Sequence, residues 1–80
     1  MKHARPDYNR IQDPYHLIPE NEPVFIIRGQ DIAGPDTLRI WAALATARGA
    51  RSDITRAALS QADAMEQWQL IHVKKIPDMP

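Results

Sequence analysis

Apolar positions fall into three stretches separated by proline and glycine. Val24-Phe25-Ile26-Ile27-Arg28 is a short β-branched and aromatic run between Pro23 and Gly29, and it reads as the one strand of the chain. Its nearly continuous apolar character predicts cover on both faces. Gly29 to Gly34 follows as a loop. From Pro35 to Arg48 the apolar residues recur at helical spacing: Leu38, Trp41, Ala42 and Ala45 form one stripe, and Ile40, Leu44 and Ala47 widen it. Pro35 suits a first helical position and Asp36 complements the positive end of the dipole; Arg48-Gly49 supplies a stop. A second helix is expected after Ser52 as N-cap, with Asp53 in its first turn. Ile54, Ala58, Ala62, Met65 and Trp68 carry its period, which fades near Ile71, with Lys74-Lys75 as a C-terminal charge pair. The connection Gly49-Ala50-Arg51-Ser52 is short, so the two helices should form an antiparallel hairpin.

The first 23 residues have no such period. They hold four of the seven prolines, Pro6, Pro14, Pro19 and Pro23, which predicts an extended arm with a short turn near Asp13-Pro14-Tyr15. Tyr8, Ile11, Tyr15, Leu17 and Ile18 are too apolar for a free tail, so the arm should lie against its own domain or a neighbouring subunit. The expected organisation is an arm over 1–23 and one small domain over 24–80. The fold class is α+β, mostly α. A lone strand leaves backbone groups unpaired. Either the arm pairs with it, around Leu17-Ile18, or the same strand of another copy does. Small scaffolds need a staple, and with no cysteine and no evident metal site the remaining device is homo-oligomerisation.

Composition narrows the functional classes. The chain has 80 residues, with 10 Lys+Arg against 10 Asp+Glu. Zero net charge argues against a nucleic-acid coat. Zero cysteine excludes a disulfide scaffold, a thiol nucleophile and a thiolate zinc site. No run of about 18 apolar residues is present, which argues against a membrane span. The polar start, Met1-Lys2-His3-Ala4-Arg5, has no signal-peptide character, so the expected location is cytoplasmic.

Chemistry-bearing motifs are sparse. His3, His16 and His72 lack metal-ligand spacing. Ser52 reads as a cap and Ser60 has no base beside it. Glu20/Glu22 and Asp63/Glu66 read as solvated carboxylates, so no catalytic residue, metal or cofactor is assigned. The segment from Arg28 to Thr37 links a strand end to a helix N-terminus, where glycine admits close backbone approach and the dipole favours anions. Arg28 and Arg39 could supply charge, Gln30 and Thr37 hydrogen bonds, and Asp31 an acceptor; Tyr8 on the arm could cover a ligand. Against this stand Asp36, which neutralises the helix end, and Pro35, which removes a donor. An ordinary connector with Arg28 paired to Asp31 accounts for the same residues.

The run Ile18-Pro19-Glu20-Asn21-Glu22-Pro23-Val24-Phe25-Ile26-Ile27-Arg28-Gly29-Gln30-Asp31, followed by Met65-Glu66-Gln67-Trp68-Gln69, resembles small proteins of bacterial viruses and prophages. Gly29 stands where that pattern has alanine. The style is similar to viral sponge proteins that counter cyclic-nucleotide (CBASS-type) immune signalling. The resemblance implies a non-enzymatic homo-oligomer in the host cytoplasm that sequesters an anionic nucleotide-like signal, with Arg28, Gln30 and Asp31 at the ligand. The competing expectation is a protein–protein adaptor or host-takeover factor acting through the helix-hairpin face.

Overall fold

The computed structural model describes residues 2–8 and 13–78. Within them lie two short strands, β1 (Lys2–His3) and β2 (Pro23–Val24), and two helices, α1 (Gly34–Ala47) and α2 (Ser52–Ile71). Two compact units divide the chain: one runs up to Ile27 and includes Asp78, and the other spans Arg28–Pro77. The strand run thus sits with the arm and not with the helices.

In the first unit β1 pairs with β2 in parallel, in the register Lys2↔Pro23 and His3↔Val24, and the Lys2 amide donates to the Glu22 carbonyl at 2.7 Å. The arm does supply the partner strand, but from Lys2–His3 and not from Leu17-Ile18. The reason is local: the Asp13 carboxylate accepts from the amides of Leu17 and Ile18, both at 3.0 Å, and so commits them to a turn. That turn is closed by the His16 amide on the Asp13 carbonyl, with His16 at φ 51°. The strand stops at Val24, well short of Arg28, because its partner is only two residues long and Pro6–Tyr8 then turns into a 3-10 helix. Cover on both faces does not materialise, since Phe25 is 72% exposed. Ile11 lies outside the described residues.

In the second unit α1 packs on α2 through a four-residue connection, and Arg39 near the start of α1 reaches Asp63 and Glu66 in the later half of α2, so the helices run antiparallel. α1 begins one residue before Pro35 and ends one before Arg48. Its C-terminus is a Schellman motif: the Ala50 amide donates to the Ala45 carbonyl (2.9 Å) and the Gly49 amide to the Thr46 carbonyl (3.1 Å), with Gly49 at φ 90°. Ser52 is not the N-cap of α2; it already lies in the helix, and Arg51, extended and without a side-chain cap bond, takes that place. The first turn is completed by Asp53, whose carboxylate accepts from the Ile54 amide and from Arg51. The chain leaves the helix at His72, whose backbone is extended. Lys75 is therefore no helix-terminal charge: its backbone pairs with the loop before α1 in a parallel bridge to Asp31. The buried apolar residues of this unit are few: Pro35, Ala42, Ala62 and Met65. No helix among the described residues is long and apolar enough to cross a membrane.

Candidate functional site

The loop between Arg28 and Gly34 carries three of the sequence-predicted ligand residues, and its backbone is fixed on every side. Asp31 turns the chain: its amide donates to the Arg28 carbonyl (3.0 Å), and its carboxylate accepts from the Ala33 amide (2.7 Å). The Gly34 amide donates to the Asp31 carbonyl at 2.9 Å. On the other side, the Lys75 amide donates to the Gln30 carbonyl (2.6 Å) and the Ile32 amide to the Lys75 carbonyl (2.9 Å). The Gln69 side chain closes the arrangement. Its Nε2 donates to the carbonyls of Gly29 (2.9 Å) and Asp31 (2.8 Å), so one α2 amide satisfies two loop oxygens.

Arg28, Gln30 and Asp31 are gathered on this loop, Arg28 exposed and Gln30 half-buried. Arg28 is not paired to the Asp31 carboxylate, which serves the backbone instead. Thr37 sits in the first turn of α1, but its hydroxyl donates to the Ala33 carbonyl at 2.6 Å. Arg39 points across the hairpin. Its guanidinium pairs with Asp63 (3.0 Å), with Glu66 and more loosely with Asp36 (3.4 Å). Its pKa is raised, chiefly by the hydrogen bonds from its guanidinium to Glu66 and Asp63. Glu66 is held below the usual carboxylate range, first by the hydrogen bond from Arg39. With three carboxylates around it, Arg39 is a structural cation of the hairpin and has little charge left for an anion. Tyr8 belongs to the other unit, where the Arg5 guanidinium lies 4.6 Å from its ring centre. Arg5 is itself held by Asp7 (2.7 and 3.1 Å) and by the Asp78 carbonyl (3.1 Å).

Four residues contribute in ways the sequence does not show. Gln69 and Lys75 act through backbone groups far from them in sequence, which no periodicity reports. Asp63 and Glu66 carried a signal, two acids three apart, but their cation lies on the other helix. In the first unit an open recess of about 430 Å³ is lined by Lys2, His3, Ala4, Pro23, Val24 and Phe25. His3 leaves both ring nitrogens enclosed without a hydrogen-bond partner. The described residues hold no cluster of three or more His, Asp or Glu side chains suited to a metal ion.

The hairpin surface is the more conspicuous feature. Trp41 and Ile54 are each 49% exposed, Trp68 is 40% exposed, and Ile40 and Leu44 are each 61% exposed. Trp68 also stacks on His72, with ring centres 4.0 Å apart and planes 9° from parallel. Compared with known protein families, with characterised proteins and with solved structures, the chain finds no match in any of the three.

Proposed function

We propose that the chain is a non-enzymatic homo-oligomer whose helix hairpin is a protein–protein interaction module. One observation carries this reading: of its large apolar residues the hairpin buries Met65 alone, besides Pro35, Ala42 and Ala62, and leaves both tryptophans half in solvent. Burial of apolar surface is the main force that holds a small domain together. A hairpin that buries so little within itself gains the rest on association. Light scattering with native mass spectrometry of the full chain tests this; a mass of one chain throughout the micromolar range overturns it.

A second reading, sequestration of an anionic nucleotide-like signal by a phage-type protein, is favoured by the Arg28 loop. Arg28 is exposed, and among the described residues its side chain makes no hydrogen bond or ion pair. It stands beside a backbone that Gln69 and Lys75 hold in place, so little ordering would accompany binding. With Arg39 engaged by three carboxylates, this reading rests first on Arg28, Gln30 and Asp31. Calorimetry with a panel of cyclic nucleotides tests it. Binding that Arg28→Ala weakens by about 2–5 kcal/mol, the range for a desolvated charge pair, supports it; no heat with any of the panel overturns it.

A further inference from the structure

We infer that the hairpin is half of a four-helix bundle, completed by a second copy that docks on the face carrying Trp41 and Trp68. The inference rests on the self-association reading and specifies where that association occurs.

Helix geometry defines the face. With about 100° per residue, Arg39 lies about 60° to one side of the Ala42 line on α1. Leu38, Ala45 and Trp41 lie about 40°, 60° and 100° to the other side. On α2, Glu66 and Asp63 lie about 40° and 100° to one side of the Ala62 line, and Met65, Ile54 and Trp68 about 60°, 80° and 120° to the other. The bonds from Arg39 to Asp63 and Glu66 show that the charged sides of both helices coincide. The sides bearing Trp41, Ile54 and Trp68 therefore coincide as well, and form one apolar face opposite the ion pairs.

Two helices that needed only each other would be apolar along a single line, Ala42 on one and Ala62 on the other. Here both helices carry large apolar side chains for about a further 100° on the same side, with Gln61 and His72 among them on α2, which is the width a helix presents when it has two packing neighbours. The spacing agrees. Leu38, Trp41/Ala42 and Ala45 on α1, and Ala58, Ala62 and Met65 on α2, recur at three and four residues. The missing neighbours must be a pair of helices of the same width and spacing, and a second copy of this hairpin is such a pair. By angle around each helix, the part of the face from Leu38 round to Trp41 on α1 and from Ile54 round to Trp68 on α2 carries no Asp, Glu, Lys or Arg, and its one titratable side chain is His72, so a two-fold pairing brings no permanent like charges together. Leu59 and Leu70 fall on the ion-pair side, interrupted by Asp63 and Glu66.

The area is sufficient. Large aromatic side chains bury 150–250 Å² each, so the exposed parts of Trp41 and Trp68 are roughly 100 Å² apiece. Together with half-exposed Ile54 and the exposed Gln61 and His72 the face offers roughly 500 Å² per chain, so a symmetric pair buries roughly 1,000 Å², about the smallest area of a specific interface.

The test uses the full chain, its Trp41→Glu variant and its Ile40→Glu variant. Ile40 sits on the same helix about 160° from the Ala42 line, outside the face. Sedimentation equilibrium is expected to show a dimer, weakened about 30-fold or more by Trp41→Glu, as at a buried aromatic anchor, and unchanged by Ile40→Glu. Should Trp41→Glu fail to fold, the unsubstituted chain still decides the matter: tryptophan emission should shift red on dilution, over the same range in which the mass halves. A wild-type monomer overturns this inference and the self-association reading together. A dimer that loses mass without the emission shift, or that Ile40→Glu disrupts while Trp41→Glu does not, overturns the face assignment alone.

Discussion

Gln69 serves two carbonyls with one amide, and that makes it the most exacting polar residue of the hairpin. Gln69→Leu keeps the helix and the bulk but leaves the Gly29 oxygen without its donor and the Asp31 oxygen with the Gly34 amide alone, in a half-buried place. The expected loss is about 1–3 kcal/mol in chemical denaturation, with faster amide exchange at Ile32 and Lys75. A fully exposed glutamine would show neither effect. Gly49 is a simpler case. Its φ of 90° is one that L side chains rarely adopt, and no atom lies within 4 Å of a Cβ placed there. Gly49→Ala should therefore cost about 1 kcal/mol from backbone strain alone, read as a lower thermal midpoint. The two residues differ in how visible they were. A glycine after a helical period announces its role, whereas an amide within a helix says nothing about which distant carbonyls it meets.

Among the elements, α1 and α2 were legible almost to the residue because their period is local, and each cap disagreement is one residue wide. The strand was not. Val24 to Ile27 has every intrinsic feature of a strand, yet pairing ends where β1 ends, and β1 is the polar dipeptide Lys2–His3. Sheet length is a property of two segments, and a pattern read along one of them cannot supply it. The Arg39 cluster has the same character: Asp63 and Glu66 are solvated as their sequence suggests, and the hairpin register also sets them beside a cation. Their contribution depends on pH with a definite sign. Glu66 is depressed in the folded state, so its stabilisation is present above the unfolded carboxylate pKa and is lost as pH falls through the lower folded value. The hairpin should hold a constant share of stability near neutrality and lose it below about pH 4. Glu66→Gln should flatten that acid limb in a series of thermal melts; an unchanged limb would show that the pair contributes nothing.

At the scale of the molecule, the candidate ligand residues divide between the two compact units. Tyr8 falls in one unit and the Arg28 loop in the other, while Arg39 is neutralised by its neighbours. The sequence placed these residues in one site because a loop before a helix is where anions bind, a rule about backbone that does not report whether nearby cations are already engaged. What the whole hairpin offers instead is surface. If it pairs as inferred, the thermal midpoint should rise with protein concentration, since association stabilises only the folded form. A midpoint that is the same over a hundredfold range of concentration would count against pairing as a source of stability.

The bridge between Asp31 and Lys75 encloses the entire hairpin within one closed circuit of backbone. Its formation must await both helices, because closing so long a loop is entropically uphill until local contacts have shortened it. The segment from His72 to Lys75 is thus expected to take its place after the helices. A cut after His72 would act at a distance: it frees the Gln30 carbonyl and the Ile32 amide, and with them the approach to α1. Fusions or truncations at the C-terminal end will therefore be felt at Arg28, and a label meant to be innocuous belongs on the outer side of α2.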